Sequence, residues 1–148
     1  MYVRKRLTMA TAVMALGAGL VAVTPAQAAP ASTTSTWYMS GKSLGGNTRI
    51  SGTYRYHVTG YTDKGSKIYG GSFSNAGARD VIRGNGLEAV LALSYYSWSG
   101  GAWHYSPRHA VKVNSFGSWT FKNKKDVYGY ACDRKVGTKK LINCKRSW

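Results

Sequence analysis

Residues 49–59, RISGTYRYHVT, carry the clearest periodicity of the sequence. Ile50, Tyr54 and Val58 belong to one alternating set, and polar residues such as Arg55 lie between them. Side chains of a β-strand alternate between two faces, and aromatic and β-branched residues suit a half-buried strand. The stretch therefore predicts a strand with one face toward a core and the other toward solvent.

Further strand candidates follow toward the C-terminus. The turn-forming residues 63–65, DKG, predict that 67–73 returns as the hairpin partner of the first strand. Residues 75–86 are expected to form a loop, and 87–98 the most apolar strand. The later candidates are 103–105, 109–113, 119–122, 127–133 and 141–146, with a polar turn at 123–125. Strands spaced about 8–12 residues apart predict an all-β fold, a single small antiparallel β-sandwich of about seven to eight strands.

The N-terminus has the organisation of an export signal. Arg4, Lys5 and Arg6 precede an uncharged apolar run at 7–23, and Ala26-Gln27-Ala28 matches a small-x-small cleavage site. A retained membrane anchor is the alternative, but a span needs about 20 apolar residues and this run is shorter. The sequence therefore predicts a secreted protein without a membrane span after cleavage.

These boundaries predict the domain organisation. Residues 1–28 form the signal peptide, 29–48 an extended or disordered N-terminal arm and loop, and 49–148 the β-sandwich domain. The arm is rich in Ala, Ser, Thr and Pro and has little to bury. Trp37 and Tyr38 come directly after its Ser/Thr-rich part, so we expect them to contribute to binding.

The charge balance limits the classes of partner. The chain has 21 Lys and Arg against five Asp and Glu, and loss of the three basic signal residues leaves 18 against five, a net charge of +13. Such a bias predicts attraction to another secreted protein with an acidic surface or to an extracellular polyanion. Lys outnumbers Arg near the C-terminus, which suits diffuse attraction better than bidentate reading of phosphate. Sequence-specific nucleic-acid binding is therefore not expected.

Cys132 and Cys144 are the two cysteines of the chain. In an exported protein such a pair predicts a disulfide, here within a C-terminal hairpin. Neither cysteine has a second Cys or a His at ligand spacing, so no zinc site and no other metal or cofactor is expected.

Catalytic motifs are scarce. The five acids show no spacing typical of a glycosidase pair, and neither a Gly-x-Ser-x-Gly elbow nor a phosphate loop is present. The enzymatic alternative is a basic ribonuclease-type toxin. His57, Glu88 and His104 would supply its acid and base, and arginines would supply the cation for the phosphate.

Two clusters are candidates for binding. Aromatic residues crowd around the turn at 99–101, where they stack on bases or sugars, anchor an interface, or pack across a hairpin. Lysines in the C-terminal part predict a polyanion surface, with solubility as the alternative explanation. The candidate residues are Tyr96, Trp98, Trp103, Tyr105, Lys124, Lys125, Lys139 and Lys140.

The layout as a whole resembles small exported proteins of filamentous actinobacteria. The shared features are an Ala-rich signal, a Ser/Thr-rich arm, a β-rich body and the cysteine hairpin from Tyr130-Ala131-Cys132 to Asn143-Cys144. Within that group it is similar to the adaptor subunit of umbrella toxin particles. The resemblance implies a non-catalytic adaptor bridging subunits of a secreted antibacterial toxin complex, with 29–39 as the docking arm. A binder of anionic wall polymer or glycan is the remaining alternative.

Overall fold

The computed structural model describes residues 33–148; the predicted signal peptide and residues 29–32 of the predicted arm lie outside this part. Seven strands and no helix are present within it. The strands are β1 (Ser35–Lys42), β2 (Thr48–Tyr61), β3 (Lys67–Asp80), β4 (Leu87–Ser99), β5 (Ala102–Val113), β6 (Phe116–Lys135) and β7 (Leu141–Arg146). Every pairing is antiparallel, which confirms the predicted all-β fold.

The seven strands form one continuous sheet in the order β1-β2-β3-β6-β4-β5, with β7 also paired to β6. Phe73 on β3, Leu91 on β4 and Tyr54 on β2 are buried in the same cluster, so the two halves of the sheet enclose a common core. The sandwich is thus a single sheet that folds over itself rather than two separate sheets. Within residues 33–148, no helix has the length and hydropathy needed to cross a membrane.

Strand β6 makes this folding possible because it changes partners along its 20 residues. Its first part pairs with β3 up to Tyr69↔Lys124, and its second part pairs with β4 and β7. Asn123 (φ 55°) and Asp126 (φ 49°) adopt the left-handed conformation between these parts. The turn predicted at 123–125 is wrong, since Asn and Asp tolerate that conformation and bend the strand without ending it.

Strand β3 is longer than the sequence suggested. The loop expected at 75–86 is wrong for its first part, because β3 continues to Asp80 with Ala76 and Ala78 fully buried. Gly77 permits close packing of this segment, since a Cβ there would clash with the carbonyl oxygen of Ser115. Small residues in the core therefore account for a strand that lacks large apolar side chains.

Part of the predicted arm belongs to the sheet. Residues 35–42 form β1 and pair with β2 from Ser35↔Tyr56 to Lys42↔Arg49. The outer edge of β1 pairs with no other strand of the described part. The paired structure thus begins before Arg49, and β1 is an edge strand of the sheet.

The C-terminal hairpin is fastened in two ways. The predicted Cys132–Cys144 disulfide joins β6 to β7. Beside it, the buried Asp133 carboxylate accepts hydrogen bonds from the Thr48 hydroxyl (2.8 Å) and the Asn143 amide (2.9 Å). These bonds tie the start of β2 to the hairpin, so β7 is held in place both covalently and through a buried polar network.

Candidate functional site

Aromatic rings and cations share the outer face of β4, β5, β6 and β7. On β4, the residues of this face alternate with the residues that point into the core. On β6, the face includes the residues paired with those outward-pointing residues of β4. We call this surface the cationic face. Its members are Tyr96, Trp98, Trp103, Tyr105, Arg108, Lys125, Tyr128, Tyr130, Arg134 and Arg146.

The β4–β5 turn end of the cationic face is aromatic. Trp98 packs against Trp103 across the hairpin, and Tyr96 packs against Tyr105, each with ring centroids 5.1 Å apart. The Lys125 ammonium lies 4.6 Å from the Trp103 ring centroid and 5.4 Å from that of Tyr96. A lysine held over two rings is attracted by their negative faces and is fixed in position.

Two arginines from the neighbouring strands β5 and β7 lie in the same way over tyrosine rings of β6. The Arg108 guanidinium lies 5.0 Å from the Tyr130 ring centroid, and that of Arg146 lies 3.8 Å from the Tyr128 ring centroid. Stacking leaves the edges of a guanidinium free to donate hydrogen bonds to an anion. The cations are therefore placed above a tyrosine surface with donors available to a ligand.

A groove of about 860 Å³ occupies the other end of the cationic face. It is lined by Arg108, Arg134 and Lys139 together with Tyr105 and Tyr130, among others. Glu88 pairs with Arg134 at 2.6 Å and offsets one of these charges. Arg108 and Lys139 remain exposed, so the groove keeps a positive potential suited to phosphate, sulfate or carboxylate groups.

The structure brings half of the ten predicted binding residues together. Tyr96, Trp98, Trp103, Tyr105 and Lys125 form one end of the cationic face, and the aromatic pairs pack across the hairpin while remaining part of its surface.

The other three lysines are placed differently. Lys139 lines the groove, whereas Lys140 is exposed in the same turn and is not one of the lining residues. Lys124 points to the opposite side of the sheet, where its ammonium lies 4.3 Å from the Tyr95 ring centroid and donates to Ser97. Adjacent lysines on a strand face opposite ways, so only Lys125 reaches the cationic face.

The site residues predicted from the sequence do not include Arg108 of β5, Arg146 of β7 or the two tyrosines of β6. Tyr128 and Tyr130 alternate with Gly129 and Ala131, and this period of two was the available signal. Arg108 follows Pro107 at an irregularity of the β4–β5 pairing, which no sequence pattern marks.

Trp37 and Tyr38 lie on β1, with 54% and 83% of their surface exposed. As neighbours on a strand they face opposite sides. Trp37 lines a cleft that also contains Tyr128 and Arg146 of the cationic face. Tyr38 is the more exposed of the two and is not one of the residues lining that cleft.

The residues of the ribonuclease alternative are dispersed. Glu88 lies at the start of β4, and His104 pairs with Ser97 near its end, so the two are roughly 30 Å apart along the strand. His57 lies on β2 opposite Gly70, in the other half of the sheet. Within residues 33–148, no three His, Cys, Asp or Glu side chains are grouped so that they could hold a metal ion.

Comparisons with protein-family models, with curated proteins and with solved structures found no match for this chain. The evidence for a function therefore comes from the cationic face and from the edge strand β1.

Proposed function

We propose that this chain is a secreted, non-catalytic binding module whose cationic face holds an extracellular anionic polymer. The observation that carries the proposal is the set of four cation–ring contacts on one face, made by Arg108, Lys125 and Arg146. The signal-like N-terminus and the disulfide support the extracellular location.

The dimensions of the cationic face favour a polymer over a small anion. From Glu88 to Trp98 along β4 the face extends for roughly 33 Å, which is the length of several repeating units of a chain molecule. Cations occur along this whole length, from Lys125 through Arg146 and Arg108 to Arg134, and Lys139 also lines the groove. A polyanion bound there would release counterions from each neutralised charge, so its affinity would depend strongly on salt.

The test compares two double variants of equal net charge. Arg108→Ala/Lys139→Ala removes two cations of the groove. Lys64→Ala/Lys67→Ala is the matched control, since it removes two exposed lysines of the β2–β3 hairpin, one in the turn and one at the start of β3. Binding to a sulfated polysaccharide is measured by calorimetry at NaCl concentrations from about 50 to about 200 mM. The slope of log affinity against log salt is obtained from this series.

We expect the groove variant to bind about tenfold more weakly and to lower the salt slope by about 1–2. The control variant should stay within about threefold of the original chain, because its lysines lie away from the cationic face. Equal losses in both variants would show that only the net charge matters and would contradict the proposal.

The adaptor role is the second candidate, and the free outer edge of β1 favours it. An unpaired strand edge adds a strand from a partner through main-chain hydrogen bonds, and exposed aromatic residues such as Tyr38 add side-chain contacts. A bridge between subunits of a secreted antibacterial toxin complex is the specific form of this proposal.

Copurification from culture supernatant, with identification of the partner, tests the adaptor role. Tyr38→Ala should reduce recovery of a defined secreted partner severalfold, whereas Tyr61→Ala, an exposed tyrosine at the end of β2, should not. Unchanged recovery with Tyr38→Ala, or no stoichiometric partner, would argue against the edge strand as the docking element.

A further inference from the structure

A cleft of about 330 Å³ lies where β3 and β7 separate along one edge of β6. The β3 pairing ends at Tyr69↔Lys124, and the β7 pairing begins at Tyr130↔Arg146. The bend at Asp126 falls in the gap between them. The cleft is therefore a direct product of the change of partners along β6.

The walls of the cleft are mainly aromatic. Val127 is the one aliphatic residue in the lining, and the aromatic residues are Trp37, Tyr54, Tyr56, Tyr69, Tyr128 and Trp148. Tyr54 is buried and stacks on Tyr56, with ring centroids 5.2 Å apart, and Tyr56 meets Tyr69 edge-on at 5.7 Å. Rings in several orientations, with Trp37 half exposed, suit a compact ligand that is apolar on its faces and polar at its rim.

Three charged side chains also line the cleft: Lys125, Asp126 and Arg146. The Asp126 carboxylate accepts hydrogen bonds from hydroxyl groups and repels phosphate. Lys125 and Arg146 belong at the same time to the cationic face, so the cleft opens directly onto it. A chain that occupies the cleft with a hydroxyl-bearing ring can therefore place its anionic groups on the cationic face.

From this arrangement we infer that the cleft seats one sugar ring of an acidic glycan, whose neighbouring anionic groups lie on the cationic face. The inference rests on the proposed function and names its ligand class. The C–H faces of a pyranose ring would pack on the aromatic walls, and its hydroxyl groups would bond to Asp126 and Arg146. A nucleic acid is less well matched, because it carries a phosphate at every unit and Asp126 repels phosphate at the cleft.

The test uses the full secreted chain and three defined probes: a hyaluronan oligosaccharide, in which neutral and acidic sugar rings alternate, an inorganic polyphosphate with the same number of charges, and an oligothymidylate. Trp37→Ala removes an exposed wall of the cleft without opening the core. Tyr61→Ala is its matched control, since it removes an exposed aromatic side chain at the end of β2 that does not line the cleft. Circular dichroism verifies that both variants keep the sheet.

We expect the hyaluronan oligosaccharide to bind at least tenfold more tightly than polyphosphate, because a neutral ring can occupy the cleft beside Asp126. Trp37→Ala should weaken the glycan about tenfold and leave polyphosphate within twofold, while Tyr61→Ala should change neither. Asp126→Asn keeps a residue that tolerates the left-handed conformation, and it should strengthen polyphosphate binding severalfold by removing the repulsion.

The outcomes separate this inference from the proposed function. Equal binding of glycan and polyphosphate, both insensitive to Trp37→Ala but weakened by Arg108→Ala/Lys139→Ala, would overturn the sugar site and leave the polyanion module intact. Tighter binding of oligothymidylate than of the glycan, with sensitivity to Trp37→Ala, would overturn it in favour of a nucleic acid. If the original chain shows no salt-dependent binding to any of the three probes, both proposals are contradicted.

Discussion

Removing the disulfide should be the most informative perturbation of the fold. Cys132 and Cys144 are separated by 12 residues, and closing a loop of that length stabilises a domain by about 3 kcal/mol in the chain-entropy model. Cys132 is fully buried beside Val90 and Ala92, so its replacement by alanine adds a small packing loss of about 1 kcal/mol. For Cys132→Ala/Cys144→Ala we therefore expect a total loss of about 3–4 kcal/mol.

Urea unfolding followed by tryptophan fluorescence and by far-UV circular dichroism measures this loss. The original chain under strong reductant is the control, because it breaks the same bond without deleting the sulfur atoms. Its loss should be about 3 kcal/mol, which separates the loop-closure contribution from packing. A loss below about 1 kcal/mol in both samples would refute the reasoning, and would mean that the Asp133 network alone holds the hairpin.

The remaining predictions concern the core, the buried carboxylate and a buried phenol. Leu91→Ala should lower the free energy of unfolding by about 3–5 kcal/mol in the same urea assay, whereas the exposed Val136→Ala should change it by less than about 0.5 kcal/mol. Asp133→Ala should cost about 1–3 kcal/mol, because it leaves the buried Thr48 hydroxyl and a hairpin amide with fewer partners; no effect would show that water replaces the carboxylate. Burial raises the pKa of Tyr54, and the neighbouring tyrosines raise it further. The folded chain therefore keeps that proton longer than the unfolded chain, so stability should fall above about pH 10, and Tyr54→Phe should make the fall less steep. Equal slopes in stability-against-pH measurements would contradict this.

The sequence was a good guide to strands that carry large apolar residues at every second position. Residues 49–59 and 87–98 both lie within strands, β2 and β4, because each supplies one apolar set to the common core. It was a poor guide where the backbone is irregular. Residues 123–125 have turn composition, yet β6 passes through them, since strand pairing on the β4 side continues at Lys124 and Lys125. Local propensity was overridden there by pairing distant in sequence.

The cationic face was predictable only in part, because some of its contacts depend on pairing between strands that are distant in sequence. The aromatic residues around 99–101 are close in sequence, so a single hairpin is sufficient to bring them together. The contacts of Arg108 with Tyr130 and of Arg146 with Tyr128 depend on the register among four strands, β5, β4, β6 and β7. The cleft depends on the change of partners along β6, which no short motif encodes.

Solubility remains the simplest alternative explanation for the positive charge, and the positions of the cations argue against it as the whole explanation. A lysine or arginine that serves solubility gains most by extending into water, and Lys64 and Lys67 are exposed at the turn end of the β2–β3 hairpin. Arg108, Lys125 and Arg146 instead lie over aromatic rings, where their side chains lose conformational freedom. Because these side chains are already ordered before a ligand binds, they lose less conformational entropy on binding. Lys112 and Lys124 are ordered in the same way over Trp119 and Tyr95 on the opposite side of the sheet. What distinguishes Arg108, Lys125 and Arg146 is that they also line the groove or the cleft of one shared surface, which is the placement that the proposed binding requires.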